Sequence, residues 1–231
     1  MSVHMEAQQK IGVFVIEKNP ISRQGTYSAI SEQKDIEIVG QAGSNEEALS
    51  MAADILPRTV VVHAIPPKGS FGLVHRLSEL SPEVSVIVLA EYEDDEELFH
   101  AIMAGASAFL TKGSSDTQLF STIRNAFSGE CPLAKSVLSR PGVASRILER
   151  FHELSSSAMG LEPLVAPLSS REEEVLKIIA DGISTQTISS SLNTGERAIE
   201  GNVKSILHKL NVNERTRSAV VALLSYGKGK I

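Results

Sequence analysis

The chain of 231 residues contains a single cysteine, Cys131, and no tryptophan. One cysteine cannot form a disulfide within the chain, and it excludes a metal cluster built from several thiolates. This scarcity fits a reducing compartment. Long apolar runs are also absent: no stretch approaches the roughly 18 apolar residues of a membrane helix, and residues 1–10 lack the apolar core of a signal peptide. We therefore expect a soluble, cytoplasmic protein that does not bind a membrane.

Basic residues are scarce in the first part of the chain. Residues 1–130 contain 9 Lys and Arg against 18 Asp and Glu, which gives this part a net charge of −9. Residues 131–167 have a net charge of +1, and residues 168–231 of +2. The acidic first part argues against nucleic-acid binding there, whereas the mildly basic last part does not by itself identify a DNA-binding domain.

Within residues 1–130, five apolar runs alternate with five amphipathic helical patterns. The runs cover residues 11–16, 36–39, 59–63, 84–89 and 108–110, and the helical patterns cover residues 21–31, 45–56, 72–80, 95–103 and 115–127. Uniformly apolar strands separated by helices predict a parallel sheet covered on both faces. The sequence therefore predicts an α/β domain of the flavodoxin-like, doubly wound (βα)5 type. Ligands of such sheets gather at the carboxyl ends of the strands, where His63, Ala90 and Lys112 lie.

The alternation of strands and helices stops near residue 130. Residues 131–167 are predicted to be a linker with one helix, over residues 143–154, followed by a flexible segment rich in serine and proline. Residues 168–231 are predicted to be entirely helical.

Four helices are predicted in this last segment. Ser169 and Glu172 have the spacing of a capping box that opens a helix ending before Gly182. Ser184 is positioned to cap a short second helix with Ile188 and Leu192 as apolar anchors, and a third helix, with one apolar stripe, covers residues 196–210. A fourth helix is predicted over residues 214–226. A short helix, a tight turn and a longer amphipathic helix describe a helix-turn-helix, whose second helix enters the major groove of DNA.

Several runs in this segment resemble LuxR-type helix-turn-helix domains. They are LSSREEEVL from Leu168 to Leu176, the Gly182–Ser184 turn, and the run from Val203 to Thr216 that includes KLNV and RT. Together with the α/β domain, the chain resembles response regulators of the NarL/FixJ family from residue 10 to residue 224. This resemblance implies a homodimer that binds double-stranded DNA.

The resemblance also indicates which side chains would contact DNA or a second subunit. Lys204 matches a family position that contacts DNA, and Thr185 and Gln186 lie where phosphates are usually bound. Glu200 stands where the family usually has lysine, and Asn202 replaces the usual histidine. The full predicted DNA-binding set is Thr185, Gln186, Arg197, Glu200, Gly201, Lys204, Ser205, His208 and Lys209, and the predicted dimer contacts are Ala219, Val220 and Leu223.

In the front domain, the residues that such families use for phosphorylation are largely replaced. A receiver needs two acidic residues after the first strand, an acceptor aspartate, a Ser or Thr, and a lysine. This chain has Glu17 followed by Lys18, then His63, Ala90 and Lys112 at the corresponding positions, so only one acid and the lysine remain. Because Mg²⁺ requires several hard oxygen ligands, we expect no metal, no cofactor and no aspartyl phosphorylation.

His63 leaves several interpretations open. We interpret it as a hydrogen-bonding residue in a relict pocket, for example with Glu17 as its partner. The alternatives are phosphohistidine chemistry, metal binding together with Glu17, and pH sensing. The acidic run of residues 91–97 is interpreted as a solvated helix start, which suits the helix dipole. Cys131 is interpreted as an inert small residue, with an intersubunit redox switch as the alternative.

The sequence as a whole predicts a DNA-binding transcriptional regulator that is controlled without aspartyl phosphorylation. The front domain would be a pseudo-receiver. Its effector would be a protein or a small ligand that acts at this domain. The rival hypothesis is an interaction protein that has lost specific DNA binding and sequesters another factor. An enzyme is not expected, since no nucleophile–base pair or phosphate-binding glycine loop is present.

Overall fold

The computed structural model describes residues 10–64, 71–81, 83–156, 165–191 and 193–227, without the side chains of residues 191 and 221–227. Five strands form one parallel sheet in the order β2-β1-β3-β4-β5. The strands are β1 (Ile11–Ile16), β2 (Ile36–Ala42), β3 (Thr59–His63), β4 (Ser85–Ala90) and β5 (Ala108–Thr111). This topology confirms the predicted flavodoxin-like sheet.

Ten helices accompany the sheet in the described residues. Five of them alternate with the strands or follow the last one: α1 (Pro20–Ser31), α2 (Asn45–Ile55), α3 (Phe71–Leu80), α4 (Asp95–Met103) and α5 (Asp116–Phe127). The other five come later in the chain: α6 (Leu133–Leu138), α7 (Pro141–Ser156), α8 (Ser170–Ala180), α9 (Thr185–Ser191) and α10 (Glu196–Gly227). None of the described helices combines the length and the apolar character of a membrane span.

The fold divides into two compact units. The first lies within residues 1–92 and 106–130 and contains the sheet with α1, α2, α3 and α5. The second lies within residues 93–105 and 131–231 and contains α4 and α6 to α10.

The core of the first unit explains why its strands are apolar throughout. Val13, Val61 and Ile87 of the central strands are fully buried, together with Ile30 of α1 and Ile123 of α5. Every residue of β3 is buried, including His63 at its end. Because helices cover both faces of the sheet, a polar residue in a central strand must find its hydrogen-bond partners within the protein.

The second unit contains two helices, α6 and α7, in the segment where the sequence predicted one. The single predicted helix corresponds to the middle of α7. The pattern did not reveal α6, because a helix of six residues offers only Leu133, Ala134 and Val137 as buried positions. Three apolar residues are too few to establish a helical period.

The helix-turn-helix segment has α8, α9 and α10 in the described residues, and it differs from the prediction at one place. The predicted separation between a third and a fourth helix is absent, since α10 is continuous. Asn213, at the predicted break, is buried; its Oδ1 accepts a hydrogen bond from the Ala166 N–H (2.8 Å) and its Nδ2 donates to the Ala166 carbonyl (3.0 Å). The side chain therefore serves a tertiary contact rather than a helix cap, and no Gly or Pro interrupts residues 202–226.

Candidate functional site

Four of the five predicted pocket residues meet at the carboxyl edge of the sheet. Glu17 directly follows β1, His63 ends β3, Ala90 ends β4, and Lys112 follows β5. Lys18, the fifth, is exposed. The first four form what we call the carboxyl-end pocket.

The carboxyl-end pocket is built around a buried His–Glu pair. The His63 Nδ1 atom lies 2.6 Å from Glu17 Oε2, and the two side chains are 4% and 2% exposed. Both atoms are buried, and neither makes a hydrogen bond of regular geometry among the described residues. Glu17 Oε1 accepts a hydrogen bond from the Asn19 N–H (2.8 Å), so the turn into α1 fixes the carboxylate.

The protonation of His63 follows from its burial. Burial lowers the pKa of the imidazole, the Glu17 and Glu91 carboxylates act to raise it, and Lys112 acts to lower it, with a net decrease. In a neutral imidazole one ring nitrogen carries a proton; Nε2 lies 3.3 Å from the Thr26 hydroxyl, and Nδ1 is in close polar contact with Glu17 Oε2. This contact is short, but it does not have the geometry of a regular hydrogen bond.

Lys112 is compensated by carboxylates of the protein itself. Its Nζ lies 2.9 Å from a Glu91 oxygen and 3.9 Å from Glu17 Oε2. In the described residues, no group of three or more His, Cys, Asp or Glu side chains is arranged to hold a metal ion. Glu17 and His63 together supply two ligands, and these two atoms are already bonded to each other.

A small cavity adjoins the carboxyl-end pocket. Its volume is about 180 Å³, the space of only about six water molecules, and it is smaller than the roughly 300–1,000 Å³ of typical ligand pockets. The side chains that give it a polar lining are Ser22, Thr26, His63, Thr111, Lys112, Ser114 and Asp116.

The helix-turn-helix presents most of its predicted DNA-binding residues to solvent. Ile199, Val203 and Ile206 form the fully buried stripe of α10. On the opposite side, α10 displays Arg197, Glu200, Gly201, Lys204 and His208, which we call the reading face. Gln186 of α9 is exposed and Thr185 is half-buried.

Two predicted DNA contacts, Ser205 and Lys209, are instead engaged with a buried carboxylate. The Ser205 hydroxyl donates to Glu172 Oε1 (2.6 Å), and Lys209 Nζ donates to Glu172 Oε2 (2.7 Å) and to the Pro167 carbonyl (3.0 Å). Glu172 also accepts from the Ser169 N–H (2.7 Å), which completes the predicted capping box of α8. One carboxylate therefore joins the start of α8 to the middle of α10.

The pKa of Glu172 reflects these bonds. Burial raises it, but the hydrogen bonds from Lys209, Ser205 and Ser169 outweigh burial and lower the pKa from 4.5 to about 2. The sequence identified Glu172 only as a helix-capping residue. The i, i+4 spacing of Ser205 and Lys209, which puts both on one side of α10, was the available signal for its second role.

The predicted dimer residues lie on the last part of α10. Ala219 is exposed and Val220 is half-buried, whereas the side chain of Leu223 lies outside the described residues. Leu192, predicted as an anchor of the short helix, also lies outside them.

Comparison with known families identifies both parts of the chain. Residues 13–124 match the response regulator receiver domain, and residues 166–222 match the luxR family of bacterial regulatory proteins. The chain is therefore a transcriptional response regulator, in which a receiver domain precedes a LuxR-type DNA-binding domain.

Relatives with the same arrangement cover nearly the whole chain. It is 29% identical over 215 residues to the transcriptional regulatory protein LiaR of Bacillus subtilis, which covers 92% of this chain and 96% of LiaR. It is 27% identical over 213 residues to the oxygen regulatory protein NreC of Staphylococcus epidermidis, covering 91% of this chain and 96% of NreC. A solved LuxR-family response regulator from Aurantimonas sp. SI85-9A1 shares the fold over 53% of this chain and 89% of its own, with a TM-score of 0.50 and 20% identity.

Proposed function

We propose that this response regulator works without aspartyl phosphorylation and that its reading face binds duplex DNA as a homodimer. The observation that supports the first part is the buried contact of 2.6 Å between His63 Nδ1 and Glu17 Oε2. An acceptor aspartate would present carboxylate oxygens at the end of β3, and in this chain an imidazole occupies that position and is bonded to the remaining acid.

The charges of the carboxyl-end pocket oppose a divalent ion. Glu17 directs one oxygen to His63 and the other to the Asn19 N–H, so Mg²⁺ binding to either oxygen would compete with one of these contacts. Lys112 holds a positive charge 3.9 Å from the same carboxylate. Mg²⁺ normally needs one or two free carboxylates and several waters in octahedral geometry. Without the ion, charge on a transferred phosphoryl group is not offset.

The remaining receiver position supports the same proposal. Ala90, at the end of β4, has no hydroxyl to bond a phosphoryl oxygen, and it is fully buried. Even a phosphorylated receiver would therefore lack this contact with the phosphoryl group. We propose that a protein, or a ligand small enough for the 180 Å³ cavity, acts at this domain instead.

Acetyl phosphate labelling tests the phosphate-independent part. Wild-type protein incubated with acetyl phosphate and Mg²⁺ is expected to keep its unmodified mass in intact-protein mass spectrometry. The matched variant Lys18→Asp/His63→Asp/Ala90→Thr restores two carboxylates and a hydroxyl, and it is expected to take up phosphate. Stoichiometric uptake by the wild-type chain would contradict the proposal.

For DNA binding, the proposal rests on the exposed cations Arg197 and Lys204 of α10 and on the polar start of α9. Glu200 on the same face would repel phosphates but could accept a hydrogen bond from the N4 amino group of cytosine. Ser205 and Lys209 are better suited to positioning α10, because both are bonded to Glu172. Dimer contact is proposed for Ala219, Val220 and Leu223.

A second candidate function is an adaptor that no longer binds DNA. The Glu200 carboxylate within the reading face favours it, as does the net charge of only +2 for residues 168–231. The two functions differ in their response to salt: electrostatic DNA binding weakens as salt rises, whereas an adaptor shows no DNA complex at any salt concentration.

A further inference from the structure

The cavity beside the carboxyl-end pocket lies between α1 and α5, on the face of the sheet that these two helices cover. We call it the α1–α5 cavity. One wall is α1, the opposite wall is the start of α5 with the loop before it, and the ends of β3 and β4 lie between them. All of these elements belong to the first unit, so the cavity is a feature of the receiver domain alone.

Gly25 leaves the α1 wall of this cavity without a side chain. It lies in the middle of α1, where glycine lowers helix stability relative to alanine because it loses more conformational freedom on folding. Neither φ nor packing requires glycine here: φ is not positive, and a Cβ would meet no heavy atom within 4 Å beyond its own stretch of helix. The glycine thus lowers stability without a packing reason, and its effect is to widen the cavity.

A buried histidine nitrogen at the edge of the cavity lacks a full complement of hydrogen bonds. The single proton of the Thr26 hydroxyl can go to the Ser22 carbonyl (3.1 Å) or to His63 Nε2 (3.3 Å), but not to both. His63 Nδ1 makes no hydrogen bond of regular geometry among the described residues. Because the His63 side chain is 4% exposed, a ligand group that donates to Nε2 would satisfy a buried polar atom.

The charges that line the cavity cancel each other. Lys112 and Asp116 contribute one charge of each sign, and Lys112 Nζ already lies 2.9 Å from a Glu91 oxygen. An anion would compete with Glu91 for Lys112 and would face Asp116, whereas a cation would face Lys112. The lining therefore favours a ligand without net charge.

The remaining lining combines hydroxyl groups with apolar side chains. The hydroxyls are those of Ser22, Thr26, Thr111 and Ser114, and the apolar side chains are Ala29, Leu89 and Leu119. Since the volume of 180 Å³ equals that of about six water molecules, a ligand of about six to ten non-hydrogen atoms fits. A short carbon chain that carries several hydroxyls matches this size and this mixture of surfaces.

We propose that the α1–α5 cavity is a binding site for a small neutral polyol. One hydroxyl of the ligand donates to His63 Nε2, the others bond the hydroxyls of the lining, and the carbon chain packs on Leu89 and Leu119. This inference rests on the proposed function and deepens it, because it gives the chemical class of an effector that acts at the receiver domain without phosphorylation.

Titration of the full-length chain with three polyols tests the inference. Glycerol, erythritol and ribitol are added separately in a buffer free of other polyols, and the backbone amide resonances are followed by NMR. We expect at least one of them to shift the amides of Gly25 and Ser114 with half-saturation below about 5 mM, within the range that so small a ligand can reach. If none of the three gives a saturable shift below that limit, the inference is wrong.

Two further titrations test the chemical class. Sodium acetate supplies an anion, and 1-butanol supplies a carbon chain with one hydroxyl, and we expect both to bind at least about tenfold more weakly than the best polyol. Tighter binding of acetate would make the cavity an anion site. Equal binding of 1-butanol would mean that apolar contact alone fills it. Either result would overturn the proposed class.

Variants of the α1 wall locate the bound polyol. Gly25→Ala should raise Tm by about 2–4 °C, because alanine favours the helix, yet weaken polyol binding about tenfold, because its methyl group narrows the cavity. Thr26→Val keeps the shape of the side chain but removes the hydroxyl, and we also expect about tenfold weaker binding. Gly72→Ala is the matched control: a Cβ there likewise meets no atom within 4 Å, but Gly72 of α3 does not line the cavity. It should bind polyol like wild type.

The cavity is not the binding site if Gly25→Ala or Thr26→Val binds the polyol as tightly as wild type. Acetyl phosphate labelling separates this failure from failure of the proposed function. A wild-type chain that takes up phosphate and still binds polyol retains the site but refutes phosphate-independent control. A chain that stays unlabelled and binds none of the three polyols refutes the site and leaves the proposed function intact.

Discussion

At the scale of single residues, His63 is a polar side chain at the buried end of β3, for which the proposed function implies a structural role. Its imidazole Nδ1 lies 2.6 Å from the Glu17 carboxylate, and both groups are almost fully buried. Removing one partner of a buried, charged hydrogen bond costs more than the bond itself contributes, because the other partner is left without solvation. We therefore expect His63 and Glu17 to contribute to the stability of the folded chain.

Replacing His63 by alanine should lower the free energy of unfolding by about 2–3 kcal/mol at pH 7.5, measured by urea denaturation, because Glu17 loses its partner. The difference from wild type should shrink as pH falls. The folded-state pKa of His63 lies below the ordinary 6.5, so below about pH 6.5 the unfolded wild-type chain binds a proton that the folded chain does not. The free energy of unfolding of the wild type therefore decreases as pH falls. The alanine variant lacks this contribution, so its free energy of unfolding does not decrease for this reason.

A second His–Glu pair provides the matched control. His75 and Glu79 of α3 lie 3.3 Å apart, but their side chains are 26% and 45% exposed. His75→Ala should therefore change stability by less than about 1 kcal/mol, as expected for a surface pair. A His63→Ala deficit that grows between pH 7.5 and pH 5.5 would mean that His63 is held protonated, contrary to the lowered pKa.

At the scale of elements, much of the fold follows from the hydrophobic pattern. The first and third strands have the predicted bounds, because their apolar runs end at the polar residues Glu17 and His63. β2 extends beyond its predicted end at residue 39, since Gln41 and Ala42 pair with Val15 and Ile16 of β1. That pairing depends on the neighbouring strand β1, and the local sequence of β2 contains no pattern that predicts it.

The positions of the pocket residues could be predicted from the sequence, but their contacts could not. The sequence places Glu17, His63 and Lys112 at the ends of predicted strands. They lie together in the structure because parallel strands end at one edge of the sheet. The engagement of Ser205 and Lys209 by Glu172 crosses more than thirty residues of sequence, and α6 is a helix too short to show a period. Both depend on tertiary packing, which single-sequence patterns do not contain.

Glu172 joins α8 to α10, and its removal should loosen the helix-turn-helix. A pKa of about 2 against 4.5 corresponds to about 3 kcal/mol of stability at neutral pH. Because the folded-state pKa is lowered, this contribution is complete above about pH 4.5 and is lost as pH falls toward 2. Glu172→Gln should therefore cost about 3 kcal/mol at pH 7 in urea unfolding and have much less effect near pH 2.

The neighbouring acid supplies the control for this prediction. Glu173 bonds Lys177 at 2.6 Å on the exposed side of α8, so Glu173→Gln should leave the stability almost unchanged. Equal losses for the two variants would show that the acidic start of α8 matters only through the helix dipole.

At the scale of the whole molecule, charge is distributed against DNA binding. The chain has a net charge of −6, and residues 1–130 alone have −9. Attraction to DNA must therefore come from a few cations of the reading face, which act over short distances. The Debye length is about 8 Å at physiological salt. Close contacts between cations and DNA phosphates therefore persist, whereas electrostatic forces over longer distances are largely screened.

The salt dependence of DNA affinity should identify those cations. A lysine that binds one phosphate releases about one counterion, so Lys204→Ala should make the slope of log K against log salt shallower by about 1. Lys177→Ala removes an equal charge from α8, where the lysine is paired with Glu173, and should leave the slope unchanged. Equal effects of the two substitutions would mean that only net charge matters. If the wild-type chain gives no complex even at low salt, the adaptor function replaces DNA binding.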